Sequence, residues 1–487
     1  MGIIFKQSLK NTTITYLGFA IGAINTLFLY TRFLTDEYYG LVGVILSSSA
    51  ILMPFMAFGV PNTLVKYYSN FSDSKSVDAF LTLMVFLPLL IIIPLLGVSY
   101  FANEVIGDFL ARKNVIVKDY VWYIFLIGIA MAYFEIFYAW SKVQMKSVFG
   151  NFMKEVFVRV GVSLLLILLY MEFISVAFFL KALVGLYLLR TLLMKLYAYS
   201  LKRPKLQFNW PKNTNSIISY SILIILGGST AVILLEIDRF MINQFIAIQN
   251  VAYYTVAIFI ATVIAVPARA MHQITYPMTA EILNRNDIAE LKRLYQKSSL
   301  TLFIVSGLIF ILILLNLNDL YSMLPMAYRG GYIIVLLIGF TKLFDALIGN
   351  NNAILFNSDY YRALLFMGVL LAVFTILFNW LLIPVYGLNG AAFATFIAIC
   401  LYNVIKLIYV KRKFNIMPFT NETVKIAGLL VLMVSIFFFV ELPFHPLVNI
   451  VVKSILIIAV YVGLLYRFKI SEDVFGVLSG FLSRKRK

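Results

Sequence analysis

The sequence predicts an all-α polytopic membrane protein, and three observations carry that prediction. Of its 487 residues, 62% are hydrophobic and 13% charged, against roughly 45–50% apolar residues in an ordinary soluble domain. Apolar runs of about 20 residues recur along the whole chain, each long enough to cross about 30 Å of hydrocarbon as a helix. Lys and Arg gather on alternate connections between those runs, the asymmetry that marks cytoplasmic loops. A closed barrel would instead show short alternating strands with dense turn signals, and those are absent from the sequence.

Fourteen runs are expected to span. The first, 12–33, follows the polar start MGIIFKQSLK, which lacks a small-residue cleavage site and so reads as a retained helix. Runs 41–65, 78–101, 120–141, 150–170 and 174–197 follow, the first of these carrying Pro54 and Pro61. The basic stretch LKRPKLQFNWPKN separates them from runs 215–240, 251–276, 297–317, 331–351, 362–383 and 388–410. Runs 424–442 and 447–467 close the series. Connections are short throughout, which leaves no room for a soluble catalytic domain.

The formal charge of +18 is read as topology before it is read as affinity. Basic connections hold Lys6 and Lys10; Lys66 and Lys75; Lys142 and Lys146; Lys202, Arg203, Lys205 and Lys212; Arg285, Lys292, Arg293 and Lys297; Lys411 to Lys413; and Arg484 to Lys487. The intervening connections hold few, chiefly Arg32, Arg112, Lys113, Lys118 and Arg329. Both termini are therefore expected in the cytoplasm, which an even number of spans requires. The excess charge serves orientation and anionic headgroups, not nucleic acid.

Shifting the sequence against itself by about 215 residues lays run on run, a weak but consistent internal repeat. Tyr38-Tyr39 falls on Tyr253-Tyr254, Pro54 and Pro61 fall close to Pro267 and Pro277, and Tyr170 to Ser175 falls on Pro384 to Asn389. The shift spans six helices, so the copies share one orientation and are related by an axis along the membrane normal, an arrangement that places transport sites between halves. The expected organisation is a six-helix lobe at 1–205, a cytoplasmic linker at 206–212, a second lobe at 213–415, and an additional helix pair with a basic tail at 416–487.

Charged side chains inside spans cost about 2.5–3.5 kcal/mol each on insertion scales, so they normally face a cavity or a partner. Glu236, Arg239 and Asn243 fall on one helix face at i, i+3 and i+7, with Asp238 about 100° away. They either meet headgroups or line a cavity. Arg159 lies about 16 Å from the turn at Tyr170, too deep for easy snorkelling, with Glu155 one turn away. It is either a self-neutralised member of a pair or a cation facing the cavity. Lys181 and Arg269 are further candidate cations, Lys342 and Asp345 stand at pairing distance along one helix, and Glu135 has no local partner. The expected substrate-binding cations are thus Arg159, Lys181, Arg239, Arg269 and Lys342, and the coupling or pairing carboxylates are Glu135, Glu155, Asp238 and Asp345. Arginine's planar fork suits phosphate, so this balance fits an anionic substrate better than a cationic drug. Cys400 reads as a buried thiol, and His272 and His445 are too far apart in sequence to suggest a metal site. No metal, cofactor or catalytic residue is expected. Asp36-Glu37 resembles the acidic pair of membrane glycosyltransferases, but its connection is far too short for one.

Three stretches carry a family resemblance: YTRFLTDEYYGLVGVILSSSAILMPFMAFGVPNTLVKYYS (30–69), EIDRFMINQFIAIQNVAYYTVA (236–257) and LFNWLLIPVYGLNGAAFATFIA (377–398). They resemble the Wzx-type oligosaccharide flippases of the multidrug/oligosaccharidyl-lipid/polysaccharide exporter superfamily. The resemblance covers about residues 1–415. It implies a two-lobed, V-shaped, alternating-access transporter in the bacterial cytoplasmic membrane. Such a transporter is expected to move a polyprenyl-pyrophosphate-linked oligosaccharide for surface polysaccharide synthesis, with cavity cations holding the anionic head. Asp238 and Arg239 match the family's seventh-helix pair by position. Membrane lipids, and a polysaccharide polymerase or glycosyltransferases, are the expected partners. The alternative is a MATE-like, cation-coupled exporter of small organic molecules.

Overall fold

An apolar chain in a medium without water must satisfy its own backbone, and helices are one of two ways to do so. In the computed structural model every element among the described residues is helical. The structure describes residues 2–211 and 213–468, without the side chains of residues 2–6, 8, 9, 226–229 and 231. The basic tail at 484–487 lies outside the described residues.

The apolar runs lie on successive helical rods: α1 (2–33), α2 (36–67), α3 (74–101), α4 (Val121–Val143), α5 (148–170), α6 (Val176–Leu201) and α7 (Thr214–Phe245). Then come α8 (249–284), α9 (Ile288–Leu315), α10 (332–356), α11 (361–386), α12 (388–414), α13 (Asn421–Phe437) and α14 (Pro446–Phe468). Side-chain caps at Thr35, Asp73, Ser175 and Asp287 begin α2, α3, α6 and α9, each accepting from a backbone N–H of the first turn. Among the described residues nine helices are long and apolar enough to cross a membrane, fewer than the expected fourteen. The physical reasons are local. Lys154, Glu155 and Arg159 lie close together in α5, a left-handed Gly349 interrupts α10, α13 is 17 residues long, and α7 contains the residues 226–229 and 231 whose side chains are not described. Helices α11 and α12 run together as one 54-residue segment broken only where Gly387 takes φ 55° and ψ −130°. That conformation needs glycine.

Helix α2 breaks between its two prolines, where Phe58 and Gly59 both have positive φ, and α8 has a 3-10 turn at Val263–Ala265 just before Pro267. Packing divides the chain into two units, residues 1–255 with 375–388, and residues 256–374 with 389–487. This grouping differs from the repeat, because α7 packs along α2. In the first unit α4 is central. Its Trp140, Phe134 and Ile136 join Phe80 and Met84 of α3 and Met194 of α6 in one core, and Ser49 and Thr191 donate to the α4 carbonyls of Ile124 and Ala130 at 2.9 and 2.7 Å. In the second unit α9, α10, α13 and α14 share a core containing Ile311, Met433 and Ile457. The thiol of Cys400 is half-buried, not buried as expected.

The break in α2 is also a close approach. A Cβ on Gly59 would overlap the carbonyl oxygen of Ser221, and the hydroxyls of Thr63 and Ser221 meet at 2.7 Å alongside. Gly59→Ala therefore combines left-handed strain with a backbone clash, and should lower stability by about 1–3 kcal/mol. Thermal unfolding in detergent reads this as a reduced midpoint, and an unchanged midpoint would contradict the packing.

Candidate functional site

Two π turns lie on neighbouring rods of the first unit: Asn25–Leu29 in α1 packs on the 158–170 part of α5, and Met153–Phe157 in α5 packs on the 2–24 part of α1. A π turn leaves extra backbone groups to satisfy and often marks a functional segment. Here Asn25 spans the gap. Its Nδ2 donates to the Arg159 carbonyl at 2.8 Å, and its Oδ1 is 2.6 Å from Ser163 Oγ. The Arg159 side chain lies over Gly18 and Gly22 of α1, where a Cβ at Gly22 would sit 3.2 Å from its Nε. Its Nη1 is 3.2 Å from Glu155 Oε2, and both side chains stay partly exposed, 32% and 22%. The pairing is real but leaves part of the guanidinium free for another acceptor.

The charges of α7 are all engaged. Arg239 donates to Glu236 at 2.5 Å and to Thr255 at 3.0 Å. Asp238 is buried, with Tyr254 donating to one carboxylate oxygen and Asn379 of α11 donating to the other, at 2.5 and 2.8 Å. Residues at i+2 and i+3 thus point to different partners, as helical geometry requires. Arg239 lies within electrostatic reach of Tyr39, whose ring stacks on Tyr30 with centroids 4.7 Å apart, and Tyr30 lies within electrostatic reach of Tyr187 of α6. Tyr187 lies in the field of Arg190, Glu236 and Arg159. The first unit therefore holds three arginines around three tyrosines.

Arg190 has no motif and its depth was not read from the sequence. It is buried against the Phe134 ring at 4.0 Å and the Tyr187 ring at 4.8 Å, yet its Nε has no hydrogen-bond partner and no described carboxylate forms an ion pair with it. Glu135 is close enough to act on it but is held by Lys154 at 2.6 Å. A buried guanidinium without an acceptor is costly, and a cation–π contact offsets about 2 kcal/mol when desolvated. This is the strongest unmet demand for an anion in the first unit.

The remaining expected residues are scattered. Lys181 and Arg269 are exposed, and among the described residues neither has an ion pair. Lys342 and Asp345 are half-buried and do not pair. Asp345 instead accepts from Asn403 of α12 at 2.7 Å, while the fully buried Lys406 donates to Asn352 at 2.9 Å and lies 4.2 Å from the Tyr402 ring. That second polar cluster, unread in the sequence, occupies α10 and α12 of the second unit. Among the described residues no group of acids, histidines and cysteine is arranged to hold a metal.

The turn joining α7 to α8 is held by the connection before α4. Asn114 Nδ2 donates to the carbonyls of Asn243 and Ile246 at 2.8 and 3.0 Å, and its Oδ1 accepts from Ile248 N at 2.9 Å. Asn243 returns a bond to the Leu110 carbonyl at 3.0 Å, and Tyr253 donates to Asp36 at 2.7 Å. Gly40 completes the contact, since a Cβ there would overlap the Ile248 carbonyl oxygen. Asn114→Ala strands a donor and two acceptors, each worth about 1–3 kcal/mol when buried. The Ile248 amide should then exchange with deuterium about tenfold faster or more in the reconstituted protein. Exchange at the native rate would show that the turn holds without Asn114. Asn379→Leu similarly removes a buried donor to Asp238 and should lower the unfolding midpoint.

Comparison with known proteins places this architecture. The structure is similar to the lipid II flippase MurJ in its inward closed conformation, with a TM-score of 0.72 at 14% identity, covering 95% of this chain and 99% of that one. It is similar to an inward-facing multidrug resistance MATE transporter of the MOP superfamily, at 0.63 and 12% identity over 84% and 98% of the two chains. It also resembles a MOP superfamily transporter from Pyrococcus furiosus, described as having a binding pocket of reverse polarity, at 0.56 and 11% identity over 85% and 95%. No curated protein matches by sequence. The polysaccharide biosynthesis protein family matches residues 5–283, more than half of the chain, and with the shared fold this establishes the protein as a member of that family.

Proposed function

We propose that the chain is an alternating-access flippase that moves a polyprenyl-pyrophosphate-linked oligosaccharide across the bacterial cytoplasmic membrane for surface polysaccharide synthesis. In this reading it crosses the membrane fourteen times, keeps both termini in the cytoplasm, and works as two six-helix lobes, 1–205 and 213–415, joined by the linker 206–212. One observation carries the reading. In the first unit the carboxylates read as deep from the sequence, together with Glu236, each have a partner, Glu135 with Lys154, Glu155 with Arg159, Glu236 with Arg239, and Asp238 with Tyr254 and Asn379, while Arg190 has no ion pair among the described residues. An anionic head is attracted by that surplus, and tyrosine faces suit sugar rings. In the second unit an apolar groove of about 600 Å³ between α9, α10 and α13, lined by Phe303, Phe310, Phe340, Phe344, Leu430 and Val434, suits a prenyl tail. Arg159, Arg190 and Arg239 are the proposed head-group ligands, Lys181, Arg269 and Lys342 supplement the field, and Asp345 and Lys406 belong to the polar cluster of the second lobe. A polymerase or glycosyltransferases would supply and consume the substrate.

The MATE-like alternative predicts the opposite charge logic, with an uncommitted acid receiving a cation. Arg159→Ala, Arg190→Ala and Arg239→Ala should each reduce surface polysaccharide in cells by about tenfold or more, the loss expected when one charge-assisted bond of about 1.5–3 kcal/mol is removed, at unchanged protein level. Normal polysaccharide in all three, or export of an organic cation by the native protein, would overturn the reading.

A further inference from the structure

The linker between α6 and α7 has no helix over residues 202–211, starting from an extended Lys202 and bending at Asn209. It is fastened to α3 at three points: Lys202 lies 3.6 Å from the buried Asp78, Gln207 N donates to Thr82 Oγ1 at 3.1 Å, and the Phe208 ring lies 5.7 Å from that of Phe86. Gln207 is half-buried, while Leu206, Phe208 and Trp210 are 64%, 74% and 74% exposed. Three large apolar residues at alternate positions form a stripe that water would penalise. Arg203 and Lys205 are exposed beside it, and residues 202–213 contain no acid.

The stripe has a direction. Phe86, against which Phe208 lies, begins a row on α3 that continues through Leu90 and Ile93, exposed by 40%, 65% and 62%. Positions i, i+4 and i+7 share one helix face, and an apolar exposed face of a spanning helix faces lipid. Phe86 is twelve residues into α3, about 18 Å along its axis, so the strap lies beside the start of that lipid-facing row. Tryptophan with Lys and Arg at such a level is the composition of a membrane interface, and clustered basic side chains there select anionic headgroups.

We propose that residues 202–211 form an interfacial anchor, with Leu206, Phe208 and Trp210 inserted at the headgroup boundary and Arg203 and Lys205 paired with anionic lipid. The strap is the covalent link between the two repeats, so its clamp on α3 assigns it to the first of them. The anchor fixes the first repeat in the leaflet and leaves α7 to begin beyond it.

The test uses the full chain with Cys400→Ala, the sequence's one cysteine, and a nitroxide on Trp210→Cys or, separately, Phe208→Cys. Collision with oxygen and with a water-soluble nickel chelate is measured in vesicles of phosphatidylglycerol mixed with phosphatidylethanolamine, and in phosphatidylcholine alone. The expected result is oxygen access with nickel exclusion at both labels. In the anionic vesicles Arg203→Gln with Lys205→Gln should lower the inserted-to-free ratio by roughly 30-fold, about 1 kcal/mol per side chain, and in phosphatidylcholine far less. Free nickel access at both sites would overturn the anchor, as would protection that appears only when cytosolic protein is added. An equal effect of the Gln pair in both lipids would overturn the assignment to anionic headgroups.

Discussion

The joint between α7 and α8 is held by one amide side chain from another connection. Asn114 satisfies the last carbonyls of α7 and the first amide of the following turn, groups that a helix end leaves unpaired and that an apolar surround makes costly. Asp36 and Gly40 approach the same turn from the start of α2. Three connections remote in sequence thereby meet at one place. The consequence reaches the whole architecture: α7, expected from the sequence to open a second lobe, is part of the first unit by packing.

The helical rods were legible in the sequence because their signal is local. Twenty apolar residues, a capping Thr or Asp and a glycine such as Gly387 each act within a turn or two of themselves. Pairing within a helix was equally legible, and Glu155 with Arg159 pairs as its spacing allows. Lys342 and Asp345 had a comparable spacing and did not pair, because Asn403 from α12 offered Asp345 a donor across the helix interface. Glu135, without a local partner, found Lys154 on the next helix. The partners of Asp238 are 16 and 141 positions away. No periodicity encodes such distances, so the presence of a buried charge could be read while its neutralisation could not. The π turns were hidden for a related reason, since a one-residue excess in a helix leaves apolar composition unchanged.

Arg190 shows the limit most clearly. In sequence it lies only eleven residues from the end of α6, in LLRTLL, and resembles any arginine near a basic connection that could reach outward along the helix. The fold turns it inward onto Phe134 instead. Burial of that kind depends on which neighbour fills the alternative direction, and here α4 supplies an aromatic face.

Charge balance among the deep residues is more informative once pairing is known than when it is counted. By number, cations exceed acids modestly, and an acid-lined site for a cationic solute could still be hidden among them. The structure narrows that freedom in the first unit, because Glu135 and Glu236 each accept from a specific donor, Glu155 is ion-paired, and Asp238 accepts on both oxygens. Recruiting Asp238 to bind a cation would first displace the buried donors Tyr254 and Asn379, a loss of about 1–3 kcal/mol or more. An anion asks for no such exchange. It meets Arg190, whose donors lack an acceptor, and the partly exposed guanidinium of Arg159, while their existing neighbours keep their bonds. The same set of residues therefore presents a low barrier to one sign of charge and a high barrier to the other, and this asymmetry is set by the committed partners more than by the number of arginines.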